Sequence, residues 1–233
     1  MWSFEAPLRP LGCGDFRLRP RQRQPVKCSA AFWWRTPVPR IDTDSFYRNA
    51  LASFGHNAEG VHWASRRTQQ VRFEALRRFL PVDLSDVTLV DVGCGLGDLY
   101  QYLVHQRDRP GRYIGIDVVA PMVEAAAERT GCEILQRDAL HDALPGADYY
   151  VCSGAMNTLT REESEQFIRR CFGAATRGFV FNLLKGRQRP GVFNHYMPDD
   201  LRTLAAEYDI EPCFAEDYLP GDFTVAFLRS PAD

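Results

Sequence analysis

The chain has 233 residues, 45% of them hydrophobic and 25% charged, which is the composition of a globular protein and excludes a fully disordered chain. Its seven cysteines are widely separated and form no CxxC pair, so the sequence predicts neither a disulfide framework nor a metal site. No run reaches the roughly 18 consecutive apolar residues of a membrane-spanning helix, and no apolar secretory leader is present, so we expect a cytoplasmic protein without a membrane partner.

The net charge of −2 conceals an uneven distribution along the chain. Residues 1–40 carry a charge of +6 and six of the fifteen prolines, whereas residues 41–233 carry −8. We predict that residues 1–40 form a disordered basic tail, and we favour a solvated extension over a transit peptide or a nucleic-acid-binding arm. Because the body has no basic stripe, nucleic acid is a possible partner but not a favoured one.

Residues 41–84 are predicted to form an N-terminal helical cap. One helix begins near Asp42 or Asp44, either of which is a suitable N-cap, and a second runs from His62 to Leu80. Pro81 ends the second helix because proline cannot continue it.

From residue 85 onward, short apolar runs alternate with amphipathic stretches, the pattern of a parallel sheet covered by helices. The predicted strands are Thr88 to Val92, Arg112 to Asp117, Glu133 to Gln136, Asp148 to Cys152, Gly178 to Leu184, Asp209 to Ala215 and Asp222 to Arg229. The predicted helices are Asp98 to Gln106, Pro121 to Arg129, Arg161 to Phe172 and Asp199 to Glu207. The last two strands have no helix between them, so we expect them to pair antiparallel.

A glycine-rich turn follows the first strand in the segment Leu89 to Leu99. A dinucleotide-binding turn has the pattern G-x-G-x-x-G, but here Asp98 or Tyr100 occupies the position of the third glycine. A carboxylate at the start of the helix would also repel a pyrophosphate. The sequence therefore excludes a dinucleotide site.

The pattern that is present, Asp91, Gly93, Gly95 and Gly97 in D-x-G-x-G-x-G, resembles the first motif of the class I S-adenosylmethionine (SAM)-dependent methyltransferases. The resemblance covers about residues 85–230. It implies a Rossmann-like three-layer α/β sandwich whose mostly parallel, seven-stranded sheet has an antiparallel last strand. It also implies that residues 85–233 bind SAM, with these four residues against the methionine part, and release S-adenosylhomocysteine (SAH).

The second strand ends in a carboxylate, Asp117, twenty residues after Gly97. By the same resemblance Asp117 binds the ribose hydroxyls, with Val118 beside it. An acidic residue at this spacing performs that role in nucleotide folds as well. The alternative is that Asp117 is a helix N-cap.

Two further segments follow the third and fourth strands. The resemblance places Asp138, Ala139 and Leu140 against the adenine. Ser153 and Asn157 lie in a loop of small residues after the fourth strand, where they contact the cofactor or the acceptor, or else only form a turn. The loop lacks the N-P-P-Y sequence of family members that methylate amides or adenine amino groups, which disfavours those acceptors.

The catalytic residues are less well marked by the sequence. Methyl transfer from a sulfonium needs a general base only if the acceptor must lose a proton, and His62 and His195 are our candidates because histidine titrates near neutrality. Trp63 either faces the sulfonium or, as we favour, packs in the core.

We therefore predict a SAM-dependent methyltransferase that acts on a small-molecule acceptor. The alternatives are an RNA or protein methyltransferase that uses the basic tail, and a catalytically silent SAM-binding module. The sequence leaves the acceptor and the oligomeric state open.

Overall fold

The computed structural model describes residues 65–187, 191 and 193–230, together with single positions at 42, 45, 48, 49 and 53. The predictions for the basic tail, for His62 and for Trp63 lie outside the described residues. In the first predicted helix, Ser45 is helical. The Asp42 carboxylate accepts hydrogen bonds from the backbone N–H of Ser45 (3.2 Å) and from the Ser45 hydroxyl (2.6 Å). This is the contact expected of an N-cap at Asp42.

Helix α1 spans Arg66–Arg77, so the predicted bounds at His62 and Leu80 were too wide. Ser65 has an extended backbone, and its hydroxyl accepts a hydrogen bond from the Thr68 N–H, which fixes the start of the helix. The helix buries Phe73 and Leu76 against the sheet.

The other elements follow the predicted alternation. The strands are β1 Thr88–Val92, β2 Arg112–Asp117, β3 Glu133–Gln136, β4 Ala147–Ser153, β5 Ala175–Lys185, β6 His195–Tyr196, β7 Cys213–Ala215 and β8 Asp222–Leu228. The helices after α1 are α2 Asp98–His105, α3 Ala120–Thr130, α4 Arg161–Ala174 and α5 Pro198–Ala205, and short 3-10 helices span Ala155–Thr158 and Ala206–Tyr208.

Three differences from the predicted elements have local causes. Strand β7 begins at Cys213 and not at Asp209, because Asp209 adopts a left-handed backbone (φ 54°) that a strand does not tolerate. The two-residue strand β6 lies between the predicted strand Gly178 to Leu184 and the predicted helix Asp199 to Glu207, where no strand was predicted, and it forms by pairing with the end of β5. Helix α5 ends at Ala205, where its last turn tightens into a 3-10 helix.

The seven-stranded path of the sheet has the order β3-β2-β1-β4-β5-β8-β7, and β6 pairs beside it with β5. Strands β1 to β5 are parallel, whereas β8 is antiparallel to both β5 and β7. The predicted fold class, including the antiparallel last strand, is confirmed. The order reverses between β1 and β4, and ligands of open α/β sheets bind at such a point, beyond the carboxyl ends of the strands.

Strand alternation divides the core between the two faces of the sheet. Tyr149 and Val151 pack beneath α1 and α2, whereas Tyr150 and Cys152 pack with α4 on the other face. In the described part of the chain, no helix is long and apolar enough to cross a membrane.

Candidate functional site

The glycine turn joins β1 to α2, and three of its backbone N–H groups donate hydrogen bonds to the end of β2. Gly93, Gly95 and Gly97 all have positive φ angles (77°, 53° and 74°), which favour glycine. The N–H groups of Gly93 and Cys94 donate to the Ile116 carbonyl (2.7 and 3.0 Å), and that of Gly95 donates to Asp117 Oδ2 (2.8 Å). Because these donors are occupied, they are not available to bind a phosphate.

Asp117 lies at the end of β2, where it joins the glycine turn to the start of α3. Its Oδ1 atom accepts a hydrogen bond from the Val119 N–H (3.0 Å), and its Oδ2 accepts the one from Gly95. The N-cap residue of α3 is Val119, so Asp117 lies two residues before the helix cap. Burial raises the pKa of Asp117, and each carboxylate oxygen can accept a second hydrogen bond from a ligand hydroxyl.

Asp91 lies in β1 and is almost fully buried. It accepts a hydrogen bond from the Tyr113 hydroxyl (2.6 Å), whose ring packs on that of Tyr100 at 4.8 Å between centroids. Burial raises the pKa of Asp91 to about 7; the Tyr113 hydrogen bond opposes this shift, and the charges of Asp117 and Asp98 add to it.

These buried carboxylates make the edge of the sheet electronegative. Among the described residues, no cationic side chain forms an ion pair with Asp91 or Asp117; Arg129 pairs instead with Asp98 (2.8 Å) and donates to the Leu96 carbonyl (2.6 Å). A cationic ligand would offset the unfavourable burial of the two carboxylates, whereas a polyphosphate would increase it. The site therefore suits a cationic ligand.

The turn after β3 is held in place from α4. Arg170 Nε donates to the Ala139 carbonyl (2.6 Å), and Gln166 Nε2 donates to the Leu140 carbonyl (3.2 Å). Asp138 is half-buried; its Oδ1 accepts from the Leu140 N–H, and its Oδ2 contacts His141 Nδ1, both at 2.8 Å. The contact of Asp138, Ala139 and Leu140 with adenine stays a prediction. The contact of Val118 with the cofactor also stays a prediction; the Val118 carbonyl accepts a hydrogen bond from Gln136 Nε2 (3.4 Å).

The loop after β4 contacts the connection that carries His195. The Asn194 N–H donates to the Asn157 carbonyl (2.7 Å), so the structure brings His195 to the same edge of the sheet as Ser153 and Asn157. His195 is half-buried in β6, beside Gly186. The roles of His195 and Asn157 stay predictions.

A group of polar residues lies between the end of β4 and α1, and Ser153 is its only member that the sequence analysis identified. This polar cluster consists of Arg72, Ser153, Asn182, Tyr218, Asp222 and Thr224. Asn182 interrupts the apolar run from Phe179 to Leu184, which was the one sequence sign of the cluster. Tyr218, Asp222 and Thr224 are close in sequence, but Arg72, Ser153 and Asn182 are far from them. The registers of β4 with β5 and of β5 with β8, together with the position of α1, bring the cluster together.

Comparison with known proteins identifies the domain. Residues 89–178 match the family model described as a methyltransferase domain. This part of the chain is a methyltransferase domain. The predicted family and enzyme class are confirmed, whereas no curated protein matches the chain.

Solved structures share the fold of the methyltransferase domain at low sequence identity. Magnesium protoporphyrin IX methyltransferase from Synechocystis, with bound SAH, has a TM-score of 0.61 and 13% identity over 82% of this chain and 98% of its own. DhpI, in a complex with SAM and HEP, has a TM-score of 0.60 and 16% identity over 78% and 94%. A SAM-dependent methyltransferase from Mesorhizobium loti has a TM-score of 0.53 and 16% identity over 67% and 96%.

The raised pKa of Asp91 predicts a pH dependence of stability in the ligand-free protein. Between pH about 4 and about 7, the Asp91 carboxyl still carries its proton in the folded protein but has already lost it in the unfolded chain. We therefore expect the free energy of unfolding to fall as the pH rises through this window. Asp91→Asn should flatten the fall, as measured by urea denaturation at several pH values. The exposed-site control Asp86→Asn should keep the wild-type slope, and an unchanged slope in Asp91→Asn would contradict the assignment.

Proposed function

We propose that the protein is a SAM-dependent methyltransferase that transfers the methyl group to a small-molecule acceptor. The family match and the cofactors bound by the structural neighbours support SAM as the donor. The electronegative edge supports it independently, because SAM carries a sulfonium and an ammonium group against one carboxylate, which leaves a net positive charge, and it has no phosphate.

The residues of this edge fit the parts of the cofactor. Asp91 and the glycine turn would hold the methionine end, Asp117 the ribose, and the turn of Asp138 to Leu140 the adenine. When bound, SAM supplies a methyl group that is already activated for transfer. The protein then has to orient the acceptor and exclude water.

The position of α1 is the observation that favours a small acceptor. Gln69 of α1 donates to Asp98 Oδ2 (3.0 Å) beside the glycine turn, and Arg72, one turn further along, pairs with the buried Asp222 at the start of β8. The helix thus contacts both the cofactor side and the β8 side of the edge. A helix that covers both sides of this edge suits an acceptor that is small enough to be enclosed beneath it.

Two other functions make different predictions. An RNA or protein methyltransferase that uses the basic tail requires salt-sensitive binding that is lost when residues 1–40 are deleted. A silent module requires SAM binding without SAH formation. The proposal includes a cytoplasmic location, with which the five free cysteines among the described residues agree.

The experiment that tests the donor site is titration calorimetry with SAM and SAH. We expect saturable binding to the wild-type protein, and Asp117→Ala should weaken it at least tenfold, about 1.4 kcal/mol, because the ribose partner and the support of Gly95 are both lost. The exposed-site control Asp86→Ala should bind like the wild type. No binding of either compound by the wild type would disprove the proposed function.

His195 is tested separately from the donor site. If it is a general base, His195→Ala lowers turnover on an identified acceptor while its affinity for SAH is unchanged. Wild-type turnover in this variant would remove His195 from the mechanism.

A further inference from the structure

The polar cluster forms a chain of hydrogen bonds that begins at Ser153. The Ser153 hydroxyl donates to Asn182 Oδ1 (2.9 Å), and Asn182 Nδ2 donates to Thr224 Oγ1 (2.7 Å). The Thr224 hydroxyl donates to the Tyr218 oxygen (3.0 Å), and the Tyr218 hydroxyl donates to Asp222 Oδ1 (3.4 Å). Every donor in the chain therefore points away from Ser153 and toward Asp222.

This chain of hydrogen bonds is buried along the sheet, and its far end at Asp222 is held by an ion pair. Ser153, Asn182 and Thr224 are direct neighbours in the registers of β4, β5 and β8, and Asn182 and Thr224 are almost fully buried. Asp222 is paired with Arg72. Burial, together with the Asp222 charge, raises the pKa of Tyr218 well above its usual range, so the phenol keeps the proton that it donates.

Ser153 is the end of this chain that meets the ligand edge. It is the last residue of β4, is half-buried, and lies on the sheet face that α1 and α2 cover, two residues after Val151. Its strand adjoins β1 at the point where the strand order reverses. Its hydrogen is given to Asn182, so its oxygen offers only lone pairs to a ligand.

We propose that Ser153 Oγ accepts a hydrogen bond from a hydroxyl or amine N–H group of the methyl acceptor. Hydrogen bonds in a chain polarise one another, and a chain that ends on a carboxylate makes the first oxygen a better acceptor. A carboxylate acceptor has no proton to donate and is disfavoured here. This assignment rests on the proposed function and narrows the acceptor to alcohols, phenols and amines.

The test uses the full-length protein loaded with SAH and three probes that share one ring: 4-methylphenol, 4-methylaniline and 4-methylbenzoate. Binding is measured by ligand-observed NMR, and SAH affinity by calorimetry. We expect the phenol or the aniline to bind and the benzoate not to bind. Ser153→Ala should weaken that binding at least tenfold and leave SAH affinity unchanged.

Three further variants make the result specific. Ser153→Thr keeps the hydroxyl and should retain binding, and Thr224→Val breaks the chain behind Asn182 and should give an intermediate loss. Thr176→Val removes a hydroxyl at the opposite edge of the sheet and should behave like the wild type. Wild-type probe binding by Thr224→Val would exclude a contribution from the Asp222 end.

The remaining outcomes separate this proposal from the proposed function. Equal probe binding by the wild type and Ser153→Ala, preferred binding of the benzoate, or no binding of any probe would overturn the assignment while SAH still binds. A loss of SAH affinity in Ser153→Ala would assign Ser153 to the cofactor and overturn it as well. Failure of the wild type to bind SAH would instead disprove the proposed function.

Discussion

Replacing Arg72 with methionine is expected to lower the free energy of unfolding by about 3–5 kcal/mol. The Arg72 side chain is 14% exposed and that of its partner Asp222 is 2% exposed, so the variant leaves a carboxylate buried without its cation. Burial already raises the pKa of Asp222 in the presence of Arg72, and removal of the cation should raise it further. The measurement is urea denaturation of the full chain at neutral pH.

Two comparisons distinguish the charge effect from lost packing. Arg72→Met/Asp222→Asn removes both charges and should recover much of the stability, and the deficit of Arg72→Met alone should shrink as acid protonates Asp222. Arg78→Met, whose partner Asp217 is 74% exposed, should cost less than about 1 kcal/mol. A deficit in Arg72→Met that is independent of pH and persists in the double variant would attribute the loss to packing.

The parallel part of the fold was predictable because each of its elements carries a local pattern. Strands β1, β2 and β3 have the bounds that their apolar runs predicted, and Gly131 ends α3 in the left-handed conformation typical of a C-cap. The start of α1 was not predictable from periodicity alone. The predicted segment began at His62, whereas the helix begins where the Ser65 hydroxyl caps it.

The cofactor side of the site was more predictable than the acceptor side because its residues belong to local sequence patterns. Asp91, the glycines and Asp117 lie at the ends of two strands that are recognisable in the sequence. The polar cluster is formed by side chains from β4, β5, β8, α1 and the connection before β8, and its contacts depend on strand register. Periodicity does not give the register of β5 with β8, so no local pattern joins Asn182 to Thr224 or Arg72 to Asp222.

Gly93→Ala is expected to lower the free energy of unfolding by about 2–5 kcal/mol and to abolish detectable SAH binding. The φ angle of 77° costs a residue with a side chain about 1–2 kcal/mol. A Cβ atom on Gly93 would also lie 2.3 Å from the Cβ atom of Ala155, a contact that backbone movement must relieve at a cost of about 1–3 kcal/mol. That movement displaces the turn from its hydrogen bonds to Ile116.

Two variants isolate these causes. Gly131 has a similar φ angle of 66°, and a Cβ atom there would have no neighbour within 4 Å, so Gly131→Ala should show the backbone cost alone and bind SAH normally. Ala155→Gly removes the opposing methyl group; on the wild-type background it should destabilise the protein, but on the Gly93→Ala background it should stabilise it. This reversal of sign follows only if residues 93 and 155 touch, because two independent substitutions would add. Denaturation of the four proteins of this cycle measures the reversal, and additive effects would show that the close approach of the glycine turn to the loop after β4 does not determine its stability.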